Sequence, residues 1–209
     1  PTPGLDPTTA AAAAIGEVVH YNILEGLTKI NVDGAVTPLL ADSWSMEPDG
    51  KSYTFKLKKG IKFQDGEAFD AAAVKFSFER AKADGSDVKT YVGAIKEIRK
   101  IDDHAVDIVT SEAFPILPDV ITNWAMMSRK WCEENRATVP VDKRKGVENT
   151  ASFKANGTGP FRLVAWRRSS RIVLERNPGY RAERYDAEPT AADRELLARY
   201  VEAFERYDI

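Results

Sequence analysis

Residues 48–69 read PDGKSYTFKLKKGIKFQDGEAF. Tyr53, Phe55 and Leu57 alternate with Thr54 and Lys56, the period-two pattern of a strand buried on one face. Asp49-Gly50 ahead of it is a hairpin turn signal. Ile61 and Phe63 repeat the alternation, and Asp65-Gly66 closes a second turn. The region 43–66 therefore reads as a β-meander. Asp70 then stands as a cap before a helix in which Ala71, Val74, Phe78 and Ala81 share one face. Polar ADGSD (83–87) ends that helix, and IKEIRKIDDHAVDIVT (95–110) predicts two strands turning at Asp102-Asp103. Strands, a helix, then strands again can pack a helix on an antiparallel sheet, so the fold class is α+β with α/β features.

Outward from this centre the signals are of several kinds. PTPGLDPTT (1–9) holds three prolines and a glycine and should run extended into a helix capped by Thr8 or Thr9. Ile15, Val18, Val19, Ile23 and Leu27 then form one face of a helix over Ala10–Leu27. NVDGAVTP (31–38) is a turn built on Asp33-Gly34. FPILPDVITNWAMM (114–127) predicts an apolar helix, and residues 131–153 a loop-rich stretch over a short helix. GTGPFRLVAWRRSSRIVLERNPGY (157–180) predicts a hairpin. Phe161, Leu163 and Ala165 face one way, answered by Ile172 and Leu174. The last 21 residues predict an amphipathic helix with a Leu197, Val201 and Phe204 stripe and Glu195–Arg199 and Glu202–Arg206 pairs.

Composition narrows the function. With 209 residues, 43% hydrophobic and 10% aromatic, the chain can bury a core. Lys plus Arg is 30 against 32 Asp plus Glu, a net charge of -2, which leaves no basic footprint for nucleic acid or anionic lipid. One cysteine, Cys132, excludes an internal disulfide and a multi-cysteine zinc site, and two histidines, His20 and His104, argue against a histidine-rich metal site. No apolar run approaches the ~18 residues of a membrane span. The sequence starts at Pro1 with no charged-then-apolar leader and reads as a processed or trimmed chain.

Motifs for catalysis are missing from the sequence: GxSxG, HExxH, a Walker loop and GxGxxG are not found. GTGP (157–160) is too short for a phosphate nest and ends in proline, which has no N–H to donate. His104 reads as a solvated turn residue, His20 as a surface or contact histidine, and Cys132 as a small, partly buried hydrophobe. Trp44 and Trp166 fall in predicted strands and read as core. Residue chemistry alone gives an α/β binding or structural module, with no catalytic residue, metal or cofactor.

Seven motifs in order resemble a known family. They are LDP (5–7), ILEGLTKINVDGAVTPLLADSW (23–44), PDGKSYTFKLKKGIKFQDGEAF (48–69), VKFSFERA (74–81), IDDHAVDIVT (101–110), GTGPFRLVAW (157–166) and RIVLERNPGY (171–180). Residues 5–180 resemble the N-terminal portion of family 5 extracytoplasmic solute-binding proteins, the peptide-, dipeptide- and nickel-type receptors of ABC importers. Ala73 departs from the family's acidic residue. The resemblance implies a periplasmic binding protein type II-like fold with two lobes that close on a ligand, plus a third subdomain inserted in the first lobe. By that resemblance, residues 1–42 begin lobe I, 43–156 form the inserted α+β subdomain, 157–180 return to lobe I, and 181–209 are a divergent tail helix. The family runs to twice this length or more, so the chain reads as truncated.

The same resemblance implies a receptor for a short peptide or similar solute, working with an ABC permease, periplasmic or at the cell surface, and monomeric. In the family the loop after LDP approaches the ligand, which points to Thr8, Thr9, Ala10, Ala11 and Ala12. Tyr91 corresponds to a loop tyrosine that can reach the cleft. The competing reading of the first five is a plain capping turn with alanine packing. Two other functions stay open: a non-transport interaction or regulatory module on this scaffold, and a fusion whose tail helix starts a SnoaL-like (NTF2-type) domain.

Overall fold

The structure, a computed structural model, describes residues 4–9, 16, 18–142, 145–167 and 170–181. The tail helix predicted beyond Arg181 lies outside these residues. At the centre is a four-stranded antiparallel sheet made of β3 (Ala41–Met46), β4 (Ser52–Leu57), β5 (Ile95–Asp102) and β6 (Ala105–Thr110), in the order β3-β4-β6-β5. The alternation in β4 is realised: Tyr53, Phe55 and Leu57 are buried, Thr54 is half-buried and Lys56 is exposed. In β6, Val106 and Ile108 face the same core. On β5 the inward residues are Ile95 and Ile98, three apart, because the register shifts between Ile95 and Glu97 and reverses the alternation there.

Helix α1 (Ala71–Lys82) starts where Asp70 accepts from the N–H groups of Ala72 and Ala73. Its Val74, Phe78 and Ala81 join the sheet core, where Trp124 meets Phe78 edge-on at 6.2 Å. The opposite side is buried too. Phe76 packs with Met127, Cys132, Ala137 and Ala151, so only Ala72, Lys75, Glu79 and Lys82 of this helix are exposed. After α1 come α2 (Lys89–Val92), α3 (Leu117–Val120) and α4 (Arg129–Glu134).

Two predicted helices are corrected. Among the described residues of the first, Gly16, Val18 and Val19 are helical, but the chain turns at Tyr21, whose φ is 63°. Residues 28–30 are already strand β1 (Thr28–Ile30), paired with β2 (Val36–Pro38) around Asp33-Gly34, so that turn closes a hairpin. A helix could not continue because tertiary partners take the carbonyls. Asn22 and Ile23 accept from Phe161 and Gly159, Glu25 from Met126, and Leu27 from Leu39 and Ala41. Ile23, Leu24 and Leu27 are buried without helical geometry. The second is 114–127, which holds only α3 and a 3-10 turn at Ile121–Asn123. There Met126 donates to Glu25 and Met127 to the Ser77 hydroxyl, bonds that a helix would have used internally. Ile61 and Phe63 are buried as predicted, but in a bridged loop and not a strand.

The hairpin β7 (Phe161–Arg167) and β8 (Arg171–Arg176) forms as expected, with one change of phase. Its register shifts between Leu163 and Ala165, so Trp166 follows Leu163 inward while Phe161 and Ala165 are exposed. Leu163, Trp166 and Leu174 pack on Leu5, Val19, Ile23 and Leu24, a second apolar cluster distinct from the sheet core. GTGP makes that packing possible. A Cβ on Gly157 would lie 2.0 Å from the Ile23 carbonyl oxygen, and one on Gly159 would lie 2.5 Å from that of Asn22.

Candidate functional site

The LDP motif builds a fixed turn. Leu5 is buried in the second cluster and its N–H donates to Ser152. The Asp6 carboxylate accepts from the Thr8 N–H at 3.0 Å and the Thr8 hydroxyl at 2.7 Å, curling the chain over Pro7. Arg80, from the buried side of α1, meets the same carboxylate with both terminal nitrogens, at 2.8 Å and 2.6 Å. It also donates to the Thr8 hydroxyl, and its Nε donates to the Ala137 carbonyl at 3.0 Å. Burial pushes the Asp6 carboxyl up, but the Arg80 and Thr8 hydrogen bonds and the Arg80 charge outweigh it and hold the group below 3.8.

This turn reaches the second predicted locus. The Thr8 carbonyl accepts from the Asp87 N–H at 2.8 Å, at the loop that leads into α2 and Tyr91. The structure thus ties the Thr8–Thr9 turn to the loop ahead of α2, and Tyr91, expected in a loop, stands in that short helix. Thr8 and Thr9 are both buried, and the Thr8 hydroxyl is engaged inside the protein. The Thr9 hydroxyl oxygen is buried with no partner among the described residues. Tyr91 is half-buried against the sheet core. Ala10, Ala11 and Ala12 lie outside the described residues. Within this turn the Thr8 N–H, the Thr8 carbonyl and the Thr9 N–H are all engaged inside the protein, by the Asp6 carboxylate, the Asp87 N–H and the Asp6 carbonyl.

Two polar hubs were missed in the sequence reading. One is Asp6 with Arg80; the signal was a charged residue at position 80 on the otherwise apolar side of α1. The other is Glu25, fully buried, which accepts from Thr158 at 2.7 Å, Tyr180 at 3.2 Å and both terminal nitrogens of Arg181 at 2.9 Å. It lies within the EGL stretch, where a charge beside Leu24 and Leu27 is the visible anomaly. Neither pairing can be read from spacing, because the partners are 74 and 156 residues apart.

A groove of about 940 Å³ opens among Lys56, Lys58, Lys59, His104 and Arg181, and of the described site candidates neither Thr8, Thr9 nor Tyr91 lines it. Cys132 is fully buried and burial pushes its thiol up to about 12. His20 is half-buried with its ring 4.0 Å from that of Tyr21. Burial pushes its pKa below 6.5 against a hydrogen bond with the Thr122 backbone.

The family described as bacterial extracellular solute-binding proteins, family 5 (middle region), matches residues 35–195. This chain belongs to that family. A glutathione-binding protein, GsiB, of Pectobacterium atrosepticum is 32% identical over 178 residues, which are 84% of this chain and 32% of the relative. NikZ from Campylobacter jejuni, solved in complex with Ni(L-His), superposes with a TM-score of 0.73 at 21% identity, over 96% of this chain and 40% of that one. A dipeptide-binding protein from Pseudoalteromonas sp. SM9913, in complex with Met-Leu, gives 0.71 at 22% identity, over 86% and 38%. The fold of this family 5 protein is thus periplasmic binding protein type II-like. The chain spans about a third of the length of the curated relatives it matches.

Proposed function

We propose that this chain is the N-terminal portion of the solute-binding receptor of an ABC importer, and that the receptor's ligand is a short peptide or peptide-like solute. The observation that carries the reading is the unbroken family match across residues 35–195. The peptide class is supported by the relatives' ligands, since glutathione is a tripeptide and Met-Leu a dipeptide. In this reading Thr8, Thr9, Ala10, Ala11 and Ala12 approach the ligand, and Tyr91 flanks it from α2. The receptor works outside the cytoplasmic membrane, as a monomer, and its lobe closure signals occupancy to the permease.

Calorimetry with reduced glutathione, Met-Leu and Ni(L-His) tests this. The 209 residues alone hold one side of the cleft and should bind no tighter than about 1 mM, or ~4 kcal/mol. Micromolar affinity for this chain would overturn the one-sided cleft. A receptor of the relatives' length carrying this chain should bind a peptide, and Ala11→Trp should weaken it. Binding of Ni(L-His) without either peptide would refute the peptide class.

A further inference from the structure

The inserted subdomain is expected to leave the ligand untouched, yet its α1 holds the turn that leads into the proposed ligand-contacting residues. We infer that Arg80 is a positioning residue for the Thr8–Thr9 turn, so that α1 sets where the ligand-facing backbone stands. The geometry is specific. Arg80 and Asp6 have side chains with no solvent exposure. Two parallel bonds join guanidinium to carboxylate, a planar fit that fixes angle as well as distance. The same NH1 nitrogen reaches the Thr8 hydroxyl, which itself donates to Asp6, so three groups define one closed arrangement. The Nε bond to the Ala137 carbonyl fixes the other end of the guanidinium, so the head cannot swing to follow a displaced turn. One further bond from this side of the fold meets the turn, from the Asp87 N–H to the Thr8 carbonyl. A charged side chain inside an apolar helix face is costly unless it is fully partnered, and here four of its donor interactions are made. Core packing at this site would be served by an apolar residue such as Met; the ion pair adds a fixed angle to the turn.

The link from turn to ligand rests on the function proposed above; the order of the turn does not, and the experiment separates the two. Amide hydrogen exchange is followed on the 209-residue chain for Arg80→Met and Arg80→Lys. The amides of Thr8, Thr9 and Asp87 should exchange at least tenfold faster in Arg80→Met, while Val106 and Ile108 in the sheet keep their protection. Lysine restores the charge without the planar fork, so Arg80→Lys should lie between and remains informative if Arg80→Met fails to fold. Unchanged protection at Thr8 and Thr9 in Arg80→Lys overturns the inference. So does an equal loss across turn and sheet, because Arg80 is then a general core residue. A selective loss combined with no peptide binding by the longer wild-type receptor upholds Arg80 as the turn's positioning residue and overturns the ligand reading alone.

Discussion

Asp6 and Arg80 sit with no side-chain exposure, where either charge alone is costly. Asp6→Asn keeps the shape and removes the charge, stranding Arg80. The expected loss is roughly 3–5 kcal/mol at neutral pH, read as a drop in the urea midpoint. The pH dependence has a definite sign. The Asp6 carboxyl is held below 3.8 in the fold, so its contribution is complete above that pH and is lost as pH falls through the lower folded value. The variant lacks this group and should show a flatter decline on the acid side; an equally steep decline would assign the titration to other carboxylates. Of this hub the sequence displays Asp6 in LDP and a charge out of place at Arg80. It cannot display their meeting, because no local period links residues 74 apart.

At the scale of elements, the contact between GTGP and the 22–24 turn is the tightest backbone approach at any glycine described. Gly157→Ala would place its Cβ 2.0 Å from the Ile23 oxygen, a backbone atom that cannot step aside as a side chain could. A cost of about 1–3 kcal/mol is expected for such overpacking, with the amides of Gly159 and Phe161 losing exchange protection while Val106 retains it. Equal protection in variant and wild type would show that the two segments can separate without harm. The helix α1, the β5–β6 pair and the β7–β8 hairpin were legible because each is set by neighbours in sequence: a cap, a turn pair, an alternation. The stretch 20–27 was not. Its apolar spacing fits a helix, but its carbonyls are claimed by residues 39, 41, 126, 159 and 161. Likewise the bulge that turns Trp166 inward and leaves Ala165 exposed has no signature in the alternation. The candidate site is proposed only through the resemblance carried by LDP and its successors, since Thr8, Thr9 and three alanines have no chemistry that marks them as ligand contacts.

For the molecule as a whole, the sheet with α1 closes its core from residues 27–126, while the second cluster draws on Leu5, residues 18–24 and the late hairpin. Limited proteolysis should therefore trim both ends before it cuts within 53–110. Early cleavage inside that stretch with intact termini would refute a boundary near residues 43 and 156. The Glu25 hub has a consequence for synthesis. Thr158, Tyr180 and Arg181 bind a carboxylate that left the ribosome 133 to 156 residues earlier. At the usual 5–20 residues per second, Glu25, Ile23 and Leu24 wait roughly 7–30 s for their cover. During that interval the nascent chain carries an apolar turn and a lone charge whose shielding groups are made 133 to 156 residues later, which makes this a stretch for a chaperone to hold.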